Sequence, residues 1–335
     1  MSKVTVSVVI CAYTTKRWAQ LEAAVASARL QTRPAVEVLV VIDHCDELMA
    51  RAGQLAGVRV LANSEAQGLS GARNTGVRAA TAQVVAFLDD DAFADPAWLE
   101  EMVAHYEDPA VVGVGGQVLP LWPEGEPRWF PPEFRWVVGC SYTGQPERTA
   151  PVRNPIGASM SFRRAPLVEV GGFSHTVGRI GTTPLGCEET ELSIRLARRF
   201  PGSKILHEPR SVVHHHVAPE RGQWAYYRRR CWGEGLSKAQ VARLSDPRQA
   251  LSAERRYATT TIPRGIARDV RAGLQLHDLP RIQRAAASLA GLAITAAGYA
   301  VGRMNGPPTA HSNELSTTHS GNLTGTGEHH AQLDH

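Results

Sequence analysis

The stretch Val84–Phe93, "VVAFLDDDAF", decides the reading of the fold. An apolar, partly β-branched run stops abruptly at three adjacent aspartates. Residues of that kind suit a strand buried on both faces. Three carboxylates repel one another, so a strand end that gathers them is expected to hold a ligand of opposite charge. Working outward, 4–10 (VTVSVVI), 36–42 (VEVLVVI) and 58–62 (VRVLA) read as further buried strands, and 83–88 as the one that ends at the aspartates. Trp18, Leu21, Ala24, Val25 and Ala28 recur at helical spacing, and a second helix is expected over about 70–80. This alternation predicts an α/β fold with a doubly wound, mostly parallel sheet and ligands at the carboxyl ends of its strands.

Downstream, Asp95-Pro96 reads as a helix N-cap followed by proline at the first helical position. Strands are expected at 111–118, 156–163 and 211–217. Helices are expected from Glu188 and over roughly 222–243. Residues 120–150 are rich in Pro, Trp, Gly and Arg, and so long an irregular stretch is usually functional or mobile. The expected organisation is one large domain over 1–220, divided near 118/119. A C-terminal helical extension follows over 221–303, and a polar tail over 304–335 is expected to be disordered.

Composition narrows the classes. The chain has 335 residues, 43% hydrophobic and 20% charged, with a formal charge of +4. So small a charge gives no case for nucleic acid as a partner. Its five cysteines (Cys11, Cys45, Cys140, Cys187 and Cys231) include no C-x-x-C pair, which argues against a structural zinc site or a disulfide scaffold. The expectation is a reducing, cytoplasmic setting. The N-terminal residues lack the features of a signal peptide.

Four motifs carry chemistry. Alternation along a strand lets Asp89 and Asp91 share a face, and clustered carboxylates suit a hard divalent cation, Mg²⁺ or Mn²⁺. Asp43 directly follows an apolar strand, where an acid commonly accepts hydrogen bonds from a base or ribose; a loop aspartate satisfying its own turn is the alternative. "CEETEL" (187–192) sets glutamates at a helix start. Helix-dipole complementarity, typically ~0.3–1 kcal/mol per acid, explains acidic residues there. A general base, Glu189 or Glu188, would explain the adjacent pair. "VVHHHV" (212–217) offers imidazoles, with His214 and His216 on one face and His215 on the other, so one of the three could ligate a metal.

The order of "SVVICAY", Asp43, "GLSGARNTG", "FLDDDAFADPAW", "ASMSFRR", "GCEETEL" and "PRSVVHH" resembles the family 2 glycosyltransferases of GT-A fold, the nucleotide-diphospho-sugar transferase fold. The resemblance runs over about residues 4–240. "VRNPIGASMSFRR", "VGRIGT" and "EETEL" look closest to a subgroup that includes glucosyl-dolichyl-phosphate glucuronosyltransferases. It implies an inverting, metal-dependent transferase using a nucleotide-diphosphate sugar, with UDP favoured. Asp91 and His215 would meet the Mn²⁺ or Mg²⁺, with His214 and His216 one residue away on either side. Asp89 and Asp90 would contact ribose or support the site. Asp43 would hold the nucleobase beside Ala12 and Tyr13, while Arg73 and Asn74 would shape the donor pocket. Glu189 would be the base where the family has aspartate. Its extra methylene moves the carboxylate by about 1.5 Å, which keeps Glu188 as a rival. On this reading the aspartates' repulsion would be relieved when cation and diphosphate arrive together.

The implied acceptor is a hydroxyl of a glycan, a polyprenyl-phosphate-linked sugar or a polysaccharide, with a small natural product as an alternative. Trp122, Trp129 and Trp136 offer faces for sugar rings or fill a satellite core. "YYRRRCWGEG" (226–235) could meet phosphate head groups or be a solvated helix face. Residues 285–302 are uncharged and just reach spanning length, but alanine and glycine dominate, and Gly298 and Gly302 form a GxxxG. A packed or peripheral helix is the expectation, with peripheral contact at the inner face of a membrane left open. A sugar-phosphate nucleotidyltransferase is a rival, although "CAYTTKRW" has Lys16 and Arg17 but no glycine for a phosphate loop.

Overall fold

The computed structural model describes residues 4–175, 188–244 and 256–304. The "VGRIGT" stretch, Cys187 and the expected tail from 305 onward lie outside the described residues.

The first half alternates strand and helix: β1 (Val6–Ala12), α1 (Trp18–Arg29), β2 (Glu37–Ile42), α2 (Asp46–Ala52), β3 (Arg59–Ala62), α3 (Leu69–Ala79) and β4 (Val84–Asp89). Next come β5 (Ala92–Ala94), α4 (Trp98–Ala104), β6 (Val111–Leu121), β7 (Ala150–Pro151), β8 (Ser159–Arg163), α5 (Arg164–Glu169), α6 (Glu188–Arg199) and β9 (Lys204–His216). Among the described residues, the α-helices that follow are α7 (Trp224–Leu244), α8 (Ile262–Leu276) and α9 (Leu279–Met304). The strands form one sheet in the order β3-β2-β1-β4-β8-β6-β9-β5, with β7 beside β9. The β3-β2-β1-β4 half is wholly parallel, β8 runs antiparallel between β4 and β6, and β6 and β9 are parallel.

The continuous apolar strands follow from burial on both faces. In β1, Val6, Val8, Ile10 and Ala12 enter one core and Val9 enters the other. In β4, Val84, Ala86 and Leu88 face the first core, and Val85 and Phe87 face the second. Gly76 lets α3 settle on β1, since a Cβ there would stand 2.5 Å from a Val9 methyl.

Two expectations change. β9 starts seven residues before the predicted strand, because Pro209 falls where its pairing with β6 shifts register between Glu208 and Val212. A proline is tolerated at such an irregularity, and a sequence pattern does not reveal one. Asp95 does not cap α4: Ala97 occupies that position, and the Asp95 side chain instead meets His214 Nε2 at 3.0 Å. The Asp95 carbonyl accepts from Trp98 N at 3.0 Å, so Asp95-Pro96-Ala97 forms a turn before the helix.

The GxxxG of α9 is an intramolecular seam. A Cβ on Gly298 would lie 2.6 Å from the Trp232 carbonyl oxygen, and one on Gly302 would lie 2.7 Å from Ala239 Cβ. From the opposite side, Gly235 of α7 comes as close to the Thr295 carbonyl. Among the described residues α9 is the helix long and apolar enough to cross a membrane, with a third of its apolar window buried in the fold. Gly298→Leu is expected to destabilise the protein by about 1–3 kcal/mol through overpacking, measured by urea unfolding. An unchanged midpoint would show that α7 and α9 are not packed this way.

Candidate active site

The parallel strands deliver their carboxyl ends to one edge. Register pairs Ala12 with Ile42 and Cys11 with Asp89, so Asp43 and Asp89 emerge beside the end of β1. Asp90 and Asp91 form the link to β5, whose Ala92 pairs with His215 of β9. The backbone N–H of His216 donates to the Asp91 carbonyl at 2.8 Å. This pairing sets His215 Nε2 3.3 Å from Asp91 Oδ1. One ligand atom from each of Asp89, Asp91 and His215 can be chosen so that all lie within 4.8 Å of one another. Two carboxylates and an imidazole at that spacing suit a divalent cation. Asp89, which the resemblance left to ribose or support, thus joins Asp91 and His215.

The histidines divide as strand alternation requires. His215 is buried, with Cys140 Sγ 3.7 Å from its Nδ1. His214 turns away, stacks on Phe93 at 4.9 Å and pairs with Asp95. His216 is half-buried.

Neighbouring cations relieve part of the repulsion among the aspartates, a relief that was expected to await cation and diphosphate. Arg17 Nη1 lies 2.5 Å from Asp91 Oδ2 and 3.0 Å from Asp90 Oδ1, and Arg221 stands 3.9 Å from Asp91. Burial pushes Asp91 towards its neutral form, but the hydrogen bond from His215 and the charges of His215, Arg17 and Arg221 outweigh it and hold its carboxyl well below the usual range. His215 is raised by the same pairing against its own burial. Asp90 is pushed up to about 7 by burial, with Arg17 opposing, and its Oδ2 has no hydrogen-bond partner.

Asp43 is fixed from three sides. Its carboxylate accepts from Asn63 Nδ2 at 2.7 Å and Gly68 N at 2.9 Å, and meets His44 Nδ1 at 2.8 Å. Gly68 has φ of 134°, which a side chain rarely tolerates, so this residue carries the turn that aims its N–H at Asp43. Arg73, buried on α3, joins the two acidic groups: Nη2 lies 3.5 Å from Asp89 and Nη1 lies 3.1 Å from Glu188. Asn74 is engaged elsewhere. Its amide brackets the backbone of Phe173 at 2.7 and 2.9 Å, so it braces the pocket from behind. Glu189, beside Glu188, is pushed up to about 8 by burial and by its neighbour's charge.

Asp43, Arg73, the three aspartates, both glutamates and His215 line one cavity of about 1720 Å³, together with Ala12, Tyr13 and Trp136, whereas Asn74 does not. Trp122 and Trp129 do not line it; they pack with Phe130, Trp224 and Tyr227 in an aromatic satellite. Arg221, Asn63 and Cys140 escaped the sequence reading. Only Arg17 left a local signal, as one of two cations just after β1.

The model for glycosyl transferase family 2 matches residues 7–171. A glucosyl-dolichyl phosphate glucuronosyltransferase of Haloferax volcanii is 35% identical over 238 residues, covering 70% of this chain and 76% of that protein. The chain belongs to glycosyl transferase family 2. This glycosyltransferase is also similar to a pre-mycofactocin glycosyltransferase of Mycobacterium tuberculosis, 29% identical over 187 residues, or 54% of this chain and 34% of that protein. Among solved structures, the mannosyltransferase PcManGT from Pyrobaculum calidifontis superposes with a TM-score of 0.58 at 20% identity, covering 89% of this chain and 88% of that one. The glycosyltransferase therefore has a GT-A-like fold. Its aspartates and Asp43 fall inside the family match, whereas Glu188, Glu189 and His215 lie beyond its end at residue 171.

Proposed function

We propose that this glycosyltransferase is inverting and metal-dependent, moving a sugar from a nucleotide-diphosphate donor, UDP favoured, to an acceptor hydroxyl. One observation carries the reading: the Asp89–Asp91–His215 cluster and the Glu188–Glu189 pair share one cavity, joined by Arg73. Residues 1–220 form the catalytic unit, with the donor half over 1–118, and 221–303 form a helical extension over the acceptor side.

Asp89, Asp91 and His215 would hold Mn²⁺ or Mg²⁺. Bound there, the cation supplies charge neutralisation to the departing diphosphate. PcManGT was solved with GDP-Man and Mn²⁺, so Mn²⁺ is the first to test. Glu188 is held by Arg73, which leaves Glu189 as the base. Glu189 takes the acceptor's proton as its oxygen bonds to the anomeric carbon. The bond from that carbon to the phosphate oxygen breaks, and the nucleoside diphosphate leaves with the electron pair. One displacement inverts the centre. ¹H NMR of the product from an α-linked donor tests this: a β product is expected, and an α product contradicts it.

Asp43 anchors the nucleoside. Asp43→Ala is expected to raise the donor KM roughly tenfold, as loss of a charged hydrogen bond worth about 1.5–3 kcal/mol permits, with a smaller change in kcat. A kcat loss at unchanged KM would remove this role.

The Haloferax volcanii relative is named for a glucosyl-dolichyl phosphate substrate, which favours a polyprenyl-phosphate-linked sugar as acceptor over a polysaccharide or small natural product. Membership of the family sets the nucleotidyltransferase alternative aside. Val270, Leu274, Leu276 and Leu279 are exposed around the α8–α9 turn, apolar groups suited to peripheral contact with a membrane at its cytoplasmic face. Flotation with anionic vesicles is expected to carry the protein upward; its remaining in the bulk would contradict the contact.

A further inference from the structure

His215 has two ring nitrogens, and they meet different partners. Nε2 faces the cluster, 3.3 Å from Asp91 Oδ1. Nδ1 lies 3.7 Å from Cys140 Sγ. An imidazole that ligates a cation through one nitrogen carries its proton on the other, and an acceptor at that proton fixes the ring. Cys140 is the side chain that the structure sets there.

One strand brings the two residues together. Pro120 of β6 pairs with His215 of β9. Two residues earlier on β6, Val118 holds Ser141 twice. Its carbonyl accepts from Ser141 N at 2.8 Å, and its N–H donates to Ser141 Oγ at 2.9 Å. Cys140 is therefore fastened beside a residue tied to the strand that pairs with β9. On its other side the helical turn Pro132–Val138 ends at Gly139, whose φ of 80° suits glycine, and Cys140 N donates to Arg135 O at 3.1 Å. A Cβ on Gly139 would stand 3.9 Å from His215 Cε1, so the ring lies against this turn.

The thiol proton has a destination of its own. Cys140 Sγ lies 3.8 Å from the Val138 carbonyl, to which its S–H donates. That leaves the sulfur lone pairs for the Nδ1–H of His215. Such contacts are weak in water. Cys140 is 0% and His215 3% exposed, so both are shielded from it.

We propose that Cys140 is a positioning residue for His215: its sulfur accepts the Nδ1–H and keeps Nε2, with its lone pair, turned towards the cation site. This deepens the metal-dependent glycosyltransferase reading and rests on it. Cys140 is not itself a metal ligand here, because its sulfur meets the nitrogen that the cluster does not use.

Mn²⁺ binding by the full chain, followed by electron paramagnetic resonance, tests this without turnover. Valine at this position fills the volume but has no lone pair. Serine is smaller, yet its hydroxyl accepts and donates as the thiol does. Cys140→Val is expected to weaken Mn²⁺ binding about tenfold, the lower end of the range for losing an outer-shell partner, with little change in melting temperature. Cys140→Ser should keep most of the parent's affinity. A packing role predicts the reverse order. Cys140→Ala should behave as Cys140→Val does, which keeps the test decisive if valine prevents folding. Unchanged Mn²⁺ binding in Cys140→Val or Cys140→Ala, or equal weakening in Cys140→Ser, overturns the role. The predicted order of Mn²⁺ affinities without release of nucleoside diphosphate from any donor would leave Cys140's role standing and count against the transferase mechanism. Absence of Mn²⁺ binding by the unaltered protein overturns both.

Discussion

Asp91→Asn is expected to lower cation-dependent transfer on the order of 10²–10³-fold, with loss of Mn²⁺ binding by electron paramagnetic resonance. Asparagine keeps the volume and removes one charge from the cluster with Asp89 and His215. The fold should survive. Breaking a fully buried ion pair can cost about 3–5 kcal/mol because the other charge is left unpaired. Arg17 is partly exposed and keeps Asp90 at 3.0 Å, so it retains both a counter-charge and water. A small change in melting temperature alongside a large loss of turnover is the expected pair of results. Near-normal turnover would sink the assignment of Asp91. Asp89→Asn and His215→Ala should weaken Mn²⁺ binding in the same assay.

Glu189→Gln is expected to cost about 10²–10⁴-fold in kcat, the usual contribution of a positioned general base. Its pH behaviour makes this specific. Burial and the neighbouring Glu188 push Glu189 up to about 8, and a base works only when ionised. In the unaltered enzyme kcat/KM should therefore rise with pH and level off above about 8; in the Gln variant that limb should vanish. Stability moves the opposite way. A carboxyl whose folded pKa exceeds its unfolded value of 4.5 favours the fold while protonated, and this contribution is lost as pH rises towards about 8. Glu189→Gln removes that loss, so the variant should unfold no more easily at pH 8 than the parent. Glu188→Gln frees Arg73 and should disturb the site differently, without removing the alkaline limb. If Glu188→Gln removes the limb and Glu189→Gln does not, the two roles exchange.

The parallel half of the sheet was legible because its strands are buried on both faces and punctuated by polar turns. Val84–Asp89 and Glu37–Ile42 could be bounded within a residue or two. The site was legible where chemistry follows a strand end, at Asp43 and at Asp89 to Asp91. Contacts that depend on register were not. Pairing Ala92 with His215 selects one histidine of three, and neither strand's sequence contains that pairing. Arg17 lies 74 residues before Asp91 and reaches it only because β1 and β4 are neighbours. Asp95 misled for a related reason: an Asp-Pro pair suits a cap or a turn equally well by local rules, and His214 from β9 meets its side chain in the turn. The basic–aromatic run 226–235 of α7 was visible in the sequence. Which face it turned inward depended on α9, whose glycines set how closely the two helices approach.

The most direct test of the central claim, that the aspartate cluster holds the cation under a departing diphosphate, is product analysis with a panel of nucleotide-diphosphate sugars. Each is incubated with the enzyme and Mn²⁺, with and without EDTA, and the released nucleotide is separated by ion-exchange chromatography. Release of nucleoside diphosphate from one donor, abolished by EDTA and restored by excess Mn²⁺, is the predicted result. Release that EDTA leaves untouched, or release of pyrophosphate in place of a nucleoside diphosphate, would contradict it.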